Sequence, residues 1–588
     1  MADTVADTAP VLKVAGAPMS ARALDSLLSV RVDRALGLVG RATLRFVDHG
    51  YALASSGTFA VGKEVEVLAG TKSLFKGEVT GVALEQDERF NPELVVTIDD
   101  KAHRLGSSAK SRAFLNQTFG DVINKLVAGT GLSASVSGTT TTHPYLLQTG
   151  TDLAYLNAVT ARAGLVWYVD GTSLKVEKAG TSSGEVPLEL AKAGELRSFS
   201  VRATASGPDK VSVTGWDQAQ QAEVLSEVST GGTAESDFVG KASGRSGGTS
   251  RGWSGTALVA DPTPLDANEA KIIATSMLAE SQSSAVVARG TAYVNAGLKP
   301  GVTLKVANAG PASGKYLISH VEHVYSASGF DTRFTAGPHR PSGLVDVLGS
   351  SRPDPGFSMQ GVLPALVTDL KDPDKQGRAK VKYTTISGAI ESHWARLVIL
   401  GAGKERGIAW HPEVEDEVLI AFEQGDTRRP VILGGLFSKK KGVPTTDDVD
   451  QNKVKFRRIT SRLGHVIELA DGDKPAEQHL LLTLKGKKHR IRLGEDKFDI
   501  EVDKKPVTIT NGQATIKFSD SGDVTIEGNN ITLKAKQKVQ VSGGTEVGVK
   551  GTTKASLEGA QVEVKASAMG KVEAGGALAI KGATVAIN

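Results

Sequence analysis

Along residues 11–100, apolar and polar positions alternate or cluster with a period near two. VLKVAG (11–16), LLSVRVDRA (27–35), RATLRFVDH (41–49), VEVLAG (65–70), LFKGEVTGVALEQ (74–86) and ELVVTIDD (93–100) group β-formers between Gly, Asp and Asn breaks, which predicts strands. From about 101 the period changes. FGDVINKLVAGTGL places Val122, Ile123, Leu126 and Val127 at helical spacing, closed by Gly129 and Gly131. TDLAYLNAVTARAGL predicts a second amphipathic helix, with Asp152 at its start and Gly164 after its last turn. LVWYVD and SLKVEK follow as strands around an Asp170-Gly171 turn. Strands return over 190–340, interrupted by a Gly/Ser-rich stretch at 229–256 that reads as one mobile loop, and by LDANEAKIIATSMLAESQSSAVVA, which reads as one long helix. PSGLVDVLGSSRPDPGF (341–357) is the clearest linker, and 358–440 reads as a compact all-β unit of four or five strands.

The C-terminal pattern differs from everything before it. After Phe518 there is no aromatic residue, and short apolar triplets recur every seven or eight residues: VTI (524–526), ITL (531–533), VQV (539–541), VGV (547–549) and so on to VAI (585–587). One turn, near Gly570, departs from the pattern. Such a period is a β-solenoid signature. Apolar residues at i and i+2 share one face. A single chain with strands this short buries too little surface to hold itself together. Three chains wound about one axis share a core and leave no open edge, which predicts a trimeric needle.

Length and composition narrow the class. A chain of 588 residues exceeds one core and implies three to five domains. Aromatics at 5% beside 66 glycines favour many short strands and turns over large α/β cores. A net charge of +4 gives no case for a nucleic-acid partner. With no cysteine, neither a disulfide nor a thiolate metal site contributes to the fold. The start, MADTVADTAP, lacks the basic and apolar regions of a secretory signal, and no apolar run approaches the roughly 20 residues that span a bilayer. Synthesis and assembly in the cytoplasm, with action outside the cell or at a target membrane, is the expectation.

Three segments carry a family resemblance. QTGTDLAYLNAVTARAGLVWYVDGTSLKV (148–176) and LKPGVTLKVANAGPASGKYLISHVEHVYSASGFDTRFTAG (298–337) resemble the phage late-control D tail hub proteins, and GTFAVGKEVEVLAGTKSLFKGEVTGV (57–82) fits the first barrel of that hub. VTDLKDPDKQGRAKVKY (367–383) and the stretch from Ser392 to Ser438 resemble the baseplate V OB-fold. The order hub, OB-fold, β-needle resembles the VgrG-type fused spikes of contractile injection systems. The resemblance implies a mainly β fold with some α: hub β-barrel 1 over 1–100, an α+β hub subdomain over 101–189, hub β-barrel 2 with a long helix over 190–340, a linker at 341–357, an OB-fold over 358–440, a transition at 441–505 and a β-helix needle over 506–588. Within the OB-fold, Asp372, Gly377, Arg378, Trp394, Arg396, Gly425, Asp426 and Pro430 match the family motif, with roles in fold and trimer contact.

Candidate chemistry is sparse. Gly244-Arg245-Ser246-Gly247-Gly248 has the letters of a nucleophile elbow but lies in a Gly/Ser-rich stretch without the flanking strand and helix that chemistry needs. Gly401-Ala402-Gly403-Lys404 lacks P-loop spacing. His320 and His323 sit in YLISHVEHVY, which reads as a strand, so positions i and i+3 face opposite sides and do not chelate one ion. His411, before Pro412, reads as structural, and the OB-fold lacks the aromatic platform of single-strand binders. No catalytic residue, cofactor or metal is expected; the last histidine is His489.

The resemblance implies a non-enzymatic, homotrimeric central spike. Two barrels in each of three protomers would match a sixfold tube to a threefold needle. The implied partners are an inner tube protein or tube-initiating adaptor, baseplate proteins, a PAAR-type tip protein and the target cell envelope, with no nucleic acid. The tip cap is expected on Ala583, Thr584, Val585, Ala586, Ile587 and Asn588, where an apolar end would otherwise meet water. Two other classes stay open: a spike with a cryptic hydrolase activity, and a β-solenoid tail fibre or adhesin.

Overall fold

The structure is a computed structural model that describes residues 9–338 and 358–587, apart from 87, 89–90, 182–183, 205–206, 219, 230–234, 244–254 and 260–263. The expected linker at 341–357, the Ser246 motif and Asn588 therefore lie outside the described residues. The chain divides into two units, Met1–Lys441 and Gly442–Asn588.

In the first unit the period-two segments form strands at Pro10–Val14, Leu27–Ala35, Arg41–Val47, Glu64–Ala69, Lys72–Gln86 and Pro92–Asp99. They belong to one 13-stranded sheet that continues into strands of 185–336. The join is the antiparallel pairing of Leu27–Ala35 with Gly314–Ser326, in the register His320↔Ala35 to Tyr325↔Val30. Two separate cores lie along this sheet. One gathers Leu12, Val32, Phe46 and Ile98; the other gathers Leu188, Val286, Leu304 and Phe334. The two segments expected as barrels each hold one β core, and the two cores share one continuous sheet. The 13-residue strand Gly314–Ser326 is long enough to serve both halves, and in the second half the bridge Leu190↔Leu196 links the end of Glu185–Glu189 to the start of Leu196–Ala203.

The α+β part folds beside this sheet. Thr118 and Asp121 form a capping box on the helix Phe119–Val127, whose buried stripe includes Val122, Ile123 and Leu126. Thr151 caps the helix Asp152–Ala163, accepting from the Ala154 amide at 3.1 Å. Asp170 and Ser173 close the hairpin of Leu165–Asp170 and Ser173–Lys178, in which Trp167 is buried and donates to Asn157 Oδ1 at 2.7 Å.

Two local expectations change. The long helix runs Ala267–Ala285 and stops before Val286, where β-branched Val286 and Val287 open the strand Val286–Tyr293. The stretch 229–256 is not one loop. It contains the helix Asp237–Ser243, and Val239 of that helix is fully buried in the second core. Ser236 Oγ accepts from the Val239 amide, and one apolar residue anchors a turn that composition alone reads as loop.

Residues 362–435 form a five-stranded sheet. Val362–Asp369 lies between Lys380–Lys382 and Glu417–Phe422, and Pro430–Gly435 then leads to Arg396–Leu397.

The second unit begins as an antiparallel meander of five strands between Phe456 and Val502, followed by three more at Val507–Thr510, Thr515–Phe518 and Val524–Glu527. Beyond Glu527 the single chain contains no strand among the described residues. The repeat is nevertheless visible: bends at 536–537, 544–545, 552–553, 560–561, 567–568 and 575–576 separate straight segments. In the apolar pairs, first members such as Ile531, Val547 and Val585 are 49–55% exposed, and second members such as Leu533, Val549 and Ile587 are 65–86% exposed. The spacing also brings Gly570 and Val572 into register as a pair, so the departure near Gly570 is a missing side chain and not a lost turn. The β-helix expected over 506–588 thus begins as ordinary in-chain sheet and, past 527, has no strand neighbour in its own chain.

The C-cap at Gly164 offers a local check. Its φ is +68°, and an added Cβ would lie 2.9 Å from Ser276 Cβ on the neighbouring helix. Gly164→Ala combines a left-handed backbone with that clash and should cost about 1–3 kcal/mol. Thermal unfolding of the purified protein, with a lowered midpoint, checks it.

Candidate functional site

The most heavily constructed polar site lies where the OB sheet meets the α+β part and the long helix Ala267–Ala285. It starts with a strand buried on both faces. In Thr142–Thr151, Tyr145 and Leu147 point into the OB core with Ala365, Tyr383 and Ile420, whereas Leu146 joins the other core with Phe114 and Tyr155. Period-two alternation thus serves two cores at once. The Tyr145 hydroxyl donates to the Glu391 carbonyl at 2.9 Å.

Beside this strand, the OB turn Gly425 to Pro430 reaches the hub helices. Arg428 Nη2 donates to Asp426 Oδ2 at 2.7 Å, and its Nη1 donates to Glu269 Oε1 at 2.9 Å. Arg162 Nε donates to the same Glu269 oxygen at 2.8 Å, and the second Glu269 oxygen accepts from the Leu265 amide at 2.7 Å. Arg429 donates to the carbonyls of Trp216 and Pro264 at 2.9 and 2.8 Å. All four charged side chains of the Arg162, Glu269, Asp426 and Arg428 network are buried. Burial alone would raise the Glu269 carboxyl, but Arg428 and Arg162 outweigh it and hold the group down at about 2. Burial also opposes the Asp426 charge, and Arg428 again wins, keeping its pKa well below the usual carboxylate range. His143, on the two-faced strand and stacked 4.1 Å from Phe119, is pushed down to about 4 by burial. Two carboxylates held ionised by two guanidiniums form a lock between parts of the chain. They offer no nucleophile or proton donor near neutral pH.

The motif residues read from the sequence all take places in the OB sheet or its turns. Arg378 donates to Asp372 through Nη2 at 2.6 Å and Nε at 3.1 Å, and Asp372 also accepts from the amides of Asp374, Gln376 and Arg378. Gly377 and Gly425 have φ of +72° and +81° and form the turns, Lys380 stacks over Trp394 at 5.3 Å, and Arg396 reaches Glu423 at 2.9 Å. Pro430 opens the strand Pro430–Gly435. Asp426 is the member that reaches beyond the OB sheet, through Arg428. Arg428, Arg162 and Glu269 were missed in the sequence; the available signal was an acid at the third position of the Asp266-capped helix and a double arginine inside the Gly-Asp…Pro motif.

The other candidates do not converge. His320 pairs with Asp33 at 2.9 Å, while His323 is buried and contacts Thr332 Oγ1 at 2.9 Å, so the two rings lie on opposite faces of one strand. Among the described residues no group of three or more His, Asp or Glu side chains is placed to hold a metal ion, and no helix is long and apolar enough to cross a membrane. Ala583 to Ile587 are exposed, with Val585 and Ile587 the large apolar members. The OB unit also exposes Leu400, Trp410 and Phe437.

The family model of the type VI secretion system/phage-baseplate injector OB domain matches residues 363–437, the sheet that carries Asp426 and Arg428. The Alg8 N-terminal domain family matches residues 7–327, more than half of the chain and the part that supplies Arg162 and Glu269. The chain belongs to the Alg8 N-terminal domain family. The resemblance to VgrG-type spikes is borne out by the injector OB domain. Similar solved structures include the E. coli c3393 protein, described as a component of the type VI secretion system with structural similarity to T4 bacteriophage tail proteins gp27 and gp5 (18% identity, 72% of this chain and 99% of that chain, TM-score 0.46). They also include the Francisella PdpA–VgrG complex (8% identity, 88% of this chain and 80% of that chain, TM-score 0.45). A third is the 43 kDa tail protein of prophage MuSo2 from Shewanella oneidensis (15% identity, 59% of this chain and 98% of that chain, TM-score 0.43). No curated protein matches the chain.

Removing Arg428 should expose how much the lock contributes. Arg428→Met leaves Glu269 and Asp426 buried with less positive charge and should cost about 3–5 kcal/mol at pH 7. The pH dependence has a fixed sign. As pH falls below 6.5, an unfolded His143 takes a proton that the folded site refuses until about 4, so stability declines. As pH falls through 4.5, an unfolded Glu269 takes a proton that the folded carboxylate refuses until about 2, so stability declines further. Urea midpoints between pH 7 and pH 3 should show both declines in the wild type, and a shallower second decline in Arg428→Met.

Proposed function

We propose that the chain is the central spike of a contractile, phage-tail-like injection apparatus, with a structural rather than catalytic role. Three copies share one axis. Two β cores per copy give six similar surfaces to an inner tube protein or a tube-initiating adaptor, and the OB units form a collar against baseplate proteins. The extended C-terminal repeat forms a three-chain β-helix that pierces the target cell envelope. One observation carries the reading. An injector-type OB sheet, tied by a buried ion network to the Alg8 N-terminal domain before it, is followed past Glu527 by an apolar repeat that forms no strand among the described residues.

The physical logic is mechanical. A spike under axial load must not shear between its OB unit and its hub, and buried, fully paired charges resist sliding because any displaced geometry leaves an ion unpaired in a dry site. A needle must keep every backbone group paired without an open edge, which three intertwined chains achieve. Exposed Leu400, Trp410 and Phe437 on the OB unit suit contacts between copies or with the baseplate. The exposed pair Val585 and Ile587 suits a PAAR-type tip protein seated on residues 583–588 by strand addition and aliphatic burial.

Light scattering of the purified protein should give three chain masses; a folded monomer at micromolar concentration would remove the trimer from this reading. Apolar capping depends little on salt. Val585→Asp with Ile587→Asp should abolish binding of the tip protein and leave the trimer intact, as seen in pull-downs at low and high salt; binding unchanged in the double variant would refute the tip assignment.

A further inference from the structure

The second unit contains an apolar surface that the C-terminal repeat alone does not account for. In the meander between Phe456 and Val502, strand register lines up Ile459, Ile467, Leu482, Ile491 and Ile500 as one row across the sheet. A second row, two residues away on each strand, is Leu469, Leu480, Leu493 and Phe498. These nine side chains are each about 40–60% exposed, on a single face, with no charged residue interrupting either row from Ile467 onward. The opposite face is polar and pairs with itself: Arg458 and His479 pair with Glu468, and Arg490 pairs with Glu501 at 2.6 Å. Sheets with one polar, self-paired face and one bare apolar face bury the apolar face against something.

A separate three-stranded sheet follows and carries two apolar rows of its own, Val507–Phe518–Val524 and Ile509–Ile516–Ile526. They pass without a change of spacing into the i, i+2 pairs of 531–587. One difference separates the segments. Up to Glu527 each strand is hydrogen-bonded to a neighbour in its own chain, and beyond it the described chain has no strand pairs. The first segment can therefore take its shape alone and lacks only cover for its apolar face. The second also lacks partners for its backbone, so its ordering requires other chains already in register beside it.

Resting on the three-chain reading above, we infer that the apolar faces of the 456–502 and 507–527 sheets are the surface on which copies of this chain first assemble, and that they set the register from which residues 531–587 wind. The occupant is a further copy of the same stripe. The rows are uncharged from Ile467 onward, their two-residue width is that of the repeat pairs, and the last strand, Val524–Glu527, leads directly into a segment whose backbone only other strands can complete. Nucleation on a preformed sheet also avoids the cost of bringing three disordered strands together before any contact rewards it.

The test uses full-length protein. Leu480 and Leu482 are half-exposed in the single chain, so Leu480→Asp with Leu482→Asp removes little in-chain packing and should yield monomers by light scattering although the whole C-terminal repeat is unchanged. Leu480→Thr with Leu482→Thr keeps strand-forming residues and should raise the trimer dissociation concentration at least about tenfold, since two aliphatic side chains per copy lose apolar contact. Val547→Asp with Val549→Asp, in the repeat itself, should leave trimers whose amides exchange fast over 531–587 and slowly over 456–527. Trimers as stable as wild type in both Leu480/Leu482 variants, or monomers in Val547→Asp with Val549→Asp, would overturn the inference while leaving the three-chain spike standing. A monomeric wild type would instead overturn the reading on which it rests.

Discussion

A backbone amide or carbonyl removed from water needs a hydrogen-bond partner, and an extended strand can find one only in a neighbouring strand. In this protein that requirement is met within the chain as far as Glu527 and not beyond it. The apolar pairs of the repeat compound the demand. They present a stripe with no in-chain core behind it, and every described residue past 527 is exposed. A segment of this kind is stable only as part of an assembly that supplies both strands and apolar cover. The proposed function follows from that constraint: an element completed by neighbouring chains would act as one stiff body.

The first unit solves the opposite problem. It has abundant in-chain cover and must hold its parts in a fixed arrangement. It does so with one strand serving two cores, through Tyr145 and Leu147 on one side and Leu146 on the other, and with a buried four-ion network from Arg162, Glu269, Asp426 and Arg428. Aliphatic packing alone tolerates small slips, whereas a buried guanidinium placed between two carboxylates has few acceptable positions. Such a network is weak evidence for added stability. Its better-supported effect is to fix geometry.

The amino-acid sequence by itself determined most of the local structure and the architecture's order. Period-two alternation located the six N-terminal strands, the spacing of Val122, Ile123, Leu126 and Val127 located one helix, Gly164 marked the end of another, and the seven-to-eight-residue repeat located the apolar stripe. These features are local: each depends on residues within a few positions of one another, where propensity and patterning act directly. The same locality explains the errors. Composition read 229–256 as loop because the burial of Val239 depends on a core assembled from distant strands. Helical spacing ran past Ala285 because the pairing that claims Val286 lies some eighty residues away, at Ala203.

Only the tertiary structure decided the relations between distant segments. That Leu27–Ala35 pairs with Gly314–Ser326 and joins the two β cores in one sheet, and that Arg428 meets Arg162 at Glu269, are facts about residues separated by more than a hundred positions. No periodicity encodes such contacts, because the free energy that selects them comes from the simultaneous burial of many groups. The rows of the 456–502 sheet lie between the two cases. Their apolar residues are legible one strand at a time, but a two-row face exists only once strand register is set, since a shift of one residue would send half of them to the polar side.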